Sequence, residues 1–257
     1  MSDLAFTVDG HVAHVRLNRP QGLNAITPAM DQALLDAWTE INANPEIWAV
    51  ILSAEGEKAF CIGADVSGGT DRSGRMALGG GLTGIGGPLV KLKKPMVAAV
   101  QGFCVGGGFE LAMCADIIVA ADTAQFGLPE TKVGIIGECG VVHRAIRQLP
   151  YHIAMAMILT GERIKADAAL QYGLVNEVVP VGQQVEVALK MAREMAEFSP
   201  LVLKTLKRFV TEGVLPHGPS EQSGRAQRQL MEVKESEDAV EATAAVKEKR
   251  RAVYKGR

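Results

Sequence analysis

The chain opens with a period of two. Val12–Leu17 alternates apolar and polar side chains and is rich in β-branched residues, a strand pattern ended by Asn18-Arg19-Pro20. The period then changes. Thr27-Pro28 offers an N-cap and a first-turn proline, and Met30, Leu34, Ala37, Trp38 and Ile41 recur at helical spacing, so a helix is expected to about Ile41. Asn44-Pro45 breaks it. Trp48–Ser53 is apolar enough for a strand buried on both faces, and Lys58–Cys61 leads into the turn Gly63-Ala64-Asp65. Further strands are expected at Met96–Val100, Ile117–Ala120 and Leu174–Val179, with helices at Phe109–Ala115, Gly140–Leu149, Ile153–Leu159 and Lys165–Tyr172. After Gly182 the pattern becomes long, charged and amphipathic, broken at Ser199-Pro200, Gly213 and Pro216–Pro219. A last helix is expected over about Gln222–Tyr254. The chain therefore reads as α/β, with a βα core over 1–195 and a helical segment over 196–257.

Composition narrows the possible functions. The 257 residues are 47% hydrophobic, enough for a sizeable core, and the net charge of −2 offers no field for gathering nucleic acid. No apolar run is long enough for a membrane span, and the start lacks the pattern of a signal peptide. Cys61, Cys104, Cys114 and Cys139 show no CxxC spacing, so reduced thiols in a cytoplasmic protein are expected. Ser67–Pro88 is glycine-rich and aperiodic, a loop or the cover of a site. Its Gly79-x-Gly81-x-x-Gly84 matches a dinucleotide fingerprint in letters, but no strand precedes it, so no nucleotide site is assigned there.

The candidate chemistry lies in two glycine turns and two acids. Gly106-Gly107-Gly108 opens a helix, where unpaired N–H groups and close backbone approach favour an oxyanion. Phe60-Cys-Ile-Gly63-Ala64-Asp65 is a second such turn. Were the Ala64 and Gly107 N–H groups to converge, they would form a two-donor oxyanion hole, each donor lowering a barrier by about 3 kcal/mol. Glu110 and Glu130 adjoin glycine-rich turns, and paired carboxylates beside such donors suit proton transfer next to a carbonyl. A helix-capping role for Glu110 and a solvated-loop role for Glu130 are the plainer alternatives.

Several segments together resemble the crotonase superfamily of enoyl-CoA hydratases and isomerases. They are Leu17-Asn-Arg-Pro-Gln-Gly-Leu-Asn-Ala-Ile26, Glu57-Lys-Ala-Phe-Cys-Ile-Gly-Ala-Asp65, Lys94-Pro-Met-Val-Ala-Ala-Val-Gln-Gly102, Gly106-Gly-Gly-Phe-Glu-Leu-Ala112, Ala115-Asp-Ile-Ile118, Ala124-Gln-Phe-Gly-Leu-Pro-Glu130 and Leu159-Thr-Gly-Glu162. The resemblance implies a crotonase-like spiral of ββα units with a C-terminal α-helical segment, assembled as trimers or pairs of trimers. It puts the oxyanion hole at Ala64 and Gly107, and the catalytic acids at Glu110 and Glu130. It also implies acyl-CoA contacts from Gln21, Gly22, Leu23, Ala25, Gly63, Asp65, Val66 and Lys249. The substrate is an acyl-CoA thioester that carries its own coenzyme A; no metal or redox cofactor is required.

One stretch departs from the hydratase pattern. Glu138 stands where hydratases typically have glycine, while dienoyl-CoA isomerases and carnitinyl-CoA dehydratases carry an acid there, so Glu138 is a candidate third acid. The reading is an enoyl-CoA hydratase. The alternatives are an enoyl- or dienoyl-CoA isomerase, a dehydratase of a polar hydroxyacyl-CoA such as carnitinyl-CoA, and an inactive acyl-CoA-binding scaffold. A Cys139–His143 thiol nucleophile is a weaker reading, since packing and a local hydrogen bond suffice. His11 and His14 should point to opposite faces, making them poor metal partners.

Overall fold

The computed structural model describes residues 2–65, 90–137, 141–214 and 235–255. Its strands are β1 (Leu4–Asp9), β2 (Val12–Leu17), β3 (Ala49–Ala54), β4 (Ala59–Cys61), β5 (Met96–Val100), β6 (Phe103–Val105), β7 (Ile117–Ala121), β8 (Gln125–Gly127), β9 (Arg163–Lys165) and β10 (Glu177–Val179). Its α-helices are α1 (Pro28–Ala43), α2 (Gly107–Ala112), α3 (Val141–Gln148), α4 (Tyr151–Thr160), α5 (Ala166–Gln171), α6 (Gln184–Met195), α7 (Pro200–Arg208) and α8 (Glu237–Glu248). Short 3-10 turns cover Pro20–Gly22 and Pro129–Val133.

The strands form a six-stranded sheet, β1-β2-β3-β5-β7-β10, and a four-stranded sheet, β4-β6-β8-β9. Sequence order alternates between them. β3, β5 and β7 go to the large sheet, and β4, β6 and β8, which follow them, go to the small one. Within each sheet these strands run parallel. The chain thus winds as a spiral of ββα turns.

Two apolar layers explain the hydropathy. Val50, Leu52, Ala98 and Ala120 face the main core with Trp38 and Phe60, while Ala49, Ile51, Val97, Ala99 and Val119 face Ala188 and Ala192 of α6. The central strands are covered on both sides, so they read as continuous apolar runs. The α1 signals are realised as expected: Thr27 Oγ1 accepts from Met30 N–H at 3.1 Å, Pro28 stands in the first turn, and Met30, Leu34, Ala37, Trp38 and Ile41 are buried.

Two expectations need correction, and four strands were not expected. Leu174–Val179 is strand only from Glu177, because the Leu174 and Val175 amides cap α5 through the Ala169 carbonyl. The last helix stops at Glu248. Lys249 takes φ +53°, and the chain doubles back as Arg250 pairs with Glu241 and Glu248, and Val253 N–H with Glu241. Residues 222–234 of that expected helix lie outside the described residues. The strands β1, β6, β8 and β9 went unread, three of them only three residues long, too short to show a period.

The histidines have separate partners: His11 stacks on Trp48 and His14 Nε2 lies 2.7 Å from Ser53 Oγ. Among the described residues no His, Cys, Asp and Glu cluster could hold a metal ion, and no helix is long and apolar enough to cross a membrane.

The small sheet and α2 meet without a side chain between them. A Cβ on Gly108 would stand 2.1 Å from the Cys61 carbonyl oxygen, so α2 lies directly on the end of β4. Gly108→Ala is expected to lower stability by about 1–3 kcal/mol, since backbone must move to admit the methyl. Urea unfolding checks this; an unchanged midpoint would contradict the packing.

Candidate active site

β4 ends at Cys61 and delivers Gly63, whose φ of +95° suits a residue without Cβ. The Cys61 thiol accepts the Gly63 N–H at 3.4 Å. Ile26 N–H donates to the Gly63 carbonyl at 2.8 Å, and Asp65 N–H donates to the Ile26 carbonyl at 2.9 Å. This is a parallel bridge between Ile26 and Ala64. Such a bridge uses the groups flanking Ala64, so the Ala64 N–H points away from Ile26.

β6 delivers the second turn. Gly106 N–H is held by the Gly127 carbonyl at 3.0 Å, and Gly107 opens α2 with its amide turned outward, as the first amides of a helix are. Among the described residues neither the Ala64 nor the Gly107 N–H donates a hydrogen bond. The turns touch: a Cβ on Gly63 would lie 3.0 Å from the Gly107 nitrogen.

Both acids come to this place. Glu110, on the first turn of α2, is only 2% exposed. Glu130 stands in the 3-10 turn that follows β8, and its Oε1 would lie 3.2 Å from a Cβ on Gly106. Its Oε2 is buried and has no hydrogen-bond partner among the described residues. Burial first, and then the Glu110 charge, push the Glu130 carboxyl up from 4.5 to about 8; a backbone hydrogen bond opposes them. Two carboxylates that sense each other in a dry site resist double ionisation, so the pair holds one proton near neutrality.

The described thiols do not compete for chemistry. Cys61, Cys104 and Cys114 form no disulfide with one another, and burial pushes Cys61 to about 12 and raises the other two. They stay protonated and poorly nucleophilic.

The remaining expected residues fall less uniformly. Gln21, Gly22, Leu23 and Ala25 lie together on the segment entering α1; Gln21 is exposed and Ala25 is buried. Asp65 is ion-paired with Arg19 at 2.8 Å. Lys249 is exposed at the C-terminal end of α8, while the middle of that helix leans on the Glu130 turn, where a Cβ on Gly134 would stand 2.4 Å from Ala242. A cleft of about 340 Å³ beside this contact is lined by Lys132, Arg250, Arg251 and Tyr254, among others. Val66, Glu138, Cys139 and the Gly79–Gly84 motif lie outside the described residues. So does the His143 side chain.

Sequence reasoning missed three residues here. Arg19 was read only as the end of a strand. Asn24 is fully buried, with φ +54°, and its amide donates to the Glu55 and Ala59 carbonyls at 2.9 Å. Arg144, on α3, is 5% exposed and acts electrostatically on Cys114. The letters Asn-Arg-Pro and Leu-Asn-Ala gave no sign of these contacts, because each joins segments far apart in the chain.

Known proteins resemble this chain in sequence and fold. The sequence matches the family described as Enoyl-CoA hydratase/isomerase over residues 7–257. It is 36% identical to a carnitinyl-CoA dehydratase of Salmonella typhi, over 99% of this chain and 98% of the relative. Among solved structures it is similar to a putative short chain enoyl-CoA hydratase from Novosphingobium aromaticivorans (66% identity, TM-score 0.77, all of both chains). It is also similar to a carnitinyl-CoA hydratase from Mycobacterium avium (36% identity, TM-score 0.89, 99% of both chains). With a family match over nearly its whole length and the spiral that its sheets form, the chain belongs to the enoyl-CoA hydratase/isomerase family, the crotonase superfamily.

Proposed function

We propose that this protein is an enoyl-CoA hydratase, adding water reversibly and syn across the double bond of a 2-enoyl-CoA. The observation that carries the reading is Glu130: an acid held neutral by burial and by Glu110, beside two amides that donate to nothing in the described chain. In the proposed complex the thioester oxygen accepts from Ala64 and Gly107 N–H. Those donors stabilise the negative charge that grows on the oxygen as the α-carbon becomes enolate-like. Glu110, ionised, takes a proton from a water whose oxygen bonds to the β-carbon. Glu130 gives its proton to the α-carbon. The pair ends with Glu130 ionised and Glu110 carrying the proton taken from water; exchange with solvent restores the starting state. The water's other hydrogen stays on the new hydroxyl.

The same site run backwards is a dehydratase, because both directions share one transition state. Carnitinyl-CoA dehydratase and hydratase are the names of relatives at 36% identity, whereas the neighbour at 66% carries the name of a short chain enoyl-CoA hydratase. That favours a simple 2-enoyl-CoA over a carnitinyl one. The proposal also includes the division at about residue 195 and assembly as trimers or pairs of trimers. Its support is the exposed apolar surface of Phe198, Leu201, Leu206 and Phe209.

Incubation with crotonyl-, 3-enoyl- and carnitinyl-CoA is expected to give hydration of crotonyl-CoA as the fastest reaction; faster double-bond migration would make the protein an isomerase. Glu110→Gln and Glu130→Gln should each lower kcat by roughly 10²–10⁴-fold while acyl-CoA binding survives. Full turnover in either variant refutes the paired acids.

The pH dependence follows from Glu130. Hydration should fall as pH rises through about 8, where the proton donor ionises. Between pH 4.5 and about 8 the folded chain keeps a proton that the unfolded chain has lost, so this group makes stability decline with rising pH across that window. Denaturant titrations should show the stability difference between Glu130→Gln and wild type growing over that range and levelling above it. A difference independent of pH would show that Glu130 titrates normally.

A further inference from the structure

Arg19 joins two parts of the site that are far apart in sequence. Its Nη2 lies 2.8 Å from Asp65 Oδ2, and its Nη1 donates to the Ala25 carbonyl at 3.3 Å. The guanidinium covers Gly22, where a Cβ would stand 2.4 Å from Nη1. The Arg19 N–H is itself held by Asn24 Oδ1 at 2.9 Å. The two charged side chains are only 23% and 14% exposed, so water and salt screen this pair far less than a surface pair. Asp65 directly follows Ala64. The Ala64 backbone is thus flanked by the two hydrogen bonds of the bridge to Ile26, and its Asp65 end is held a second time through the carboxylate.

We propose that Arg19 is a positioning residue for the oxyanion donor. Its guanidinium fixes Asp65, the residue after Ala64; Ile26 holds the preceding Gly63–Ala64 peptide that carries the Ala64 N–H, and Arg19 stops Ala64 from swinging at its other end. This rests on the hydratase reading above. A hydrogen bond weakens steeply as its angle opens, so a donor free to swing loses transition-state stabilisation before it loses its place in the fold. Arginine suits the task because its planar fork serves two acceptors at fixed angles; a lysine reaches one. The same fork grips Ala25 in the segment that the family resemblance assigns to coenzyme A. Asn24 also holds that segment, through the Glu55 and Ala59 carbonyls, so loss of the fork should release the amide while sparing coenzyme A binding.

The test reads the amide's effect on the carbonyl directly. Infrared difference spectra of bound acetyl-CoA labelled with 13C at the thioester carbonyl should show a stretch lowered by wild-type protein. Arg19→Met should lose most of that shift and hydrate crotonyl-CoA about 10–100-fold more slowly. Free CoA should still bind within about threefold of wild type. Arg19→Lys should fall between. Asp65→Asn keeps the shape without the charge; it should behave as Arg19→Met and carries the test if that variant does not fold. Variants that keep both the shift and kcat, while merely melting earlier, would reduce Arg19 to a structural strut and overturn the proposal. A wild-type protein that neither shifts the carbonyl nor hydrates crotonyl-CoA would overturn the hydratase reading, and this proposal with it.

Discussion

The contact between Gly63 and the Gly107 amide is the constraint on which the site depends. A Cβ on Gly63 would reach to 3.0 Å from that nitrogen, so the two turns close on each other only because no side chain intervenes. The turns come from successive windings of the spiral, at the ends of the paired strands β4 and β6. Parallel pairing fixes their relative height. Gly108 fixes their separation by letting α2 lie against the Cys61 carbonyl. Two amides that donate to nothing among the described residues thereby lie on adjoining turns, a costly arrangement unless another acceptor completes it.

The acids inherit their character from that setting. Glu110 is deep because α2 is buried from Gly108 to Ala112. Glu130 is half-buried as a residue, yet one carboxyl oxygen is sealed from water with no partner in the described chain. An ionised carboxylate with an orphaned oxygen is penalised, and the neighbouring Glu110 charge adds to the penalty. The fold thus favours the neutral form of Glu130 through its environment. A similar expenditure is visible in the Asn24 amide, buried and hydrogen-bonded to two carbonyls, which holds the 19–26 segment against the start of β4.

Much of this was legible in the sequence, for definable reasons. Long elements with a single clear period, such as Val12–Leu17 and the helix from Pro28, emerged with their caps and buried faces intact. The two glycine turns and both glutamates stood out in the sequence, and the fold brings Glu130 to Gly106 and within electrostatic reach of Glu110. What stayed hidden was set by distant partners. Leu174 and Val175 have strand letters, but their amides cap a helix. The charged C-terminal stretch has helical letters, but Arg250 finds Glu241 and Glu248 and ends the helix at Lys249. Arg19 looked like punctuation before a proline, and only the folded chain brings it to Asp65. The approach of the Gly63 turn to the Gly107 amide could be expected only as a condition, since nothing in local sequence fixes the distance between two loops.

The central claim is that both amides bind one thioester oxygen beneath the two carboxyl groups. A crystal structure with an unreactive acyl-CoA bound measures this most directly. The account predicts the thioester oxygen about 2.7–3.1 Å from both the Ala64 and Gly107 nitrogens, with Glu110 and Glu130 facing the adjacent acyl carbons. A thioester oxygen bonded to only one of these amides, or to neither, would contradict it.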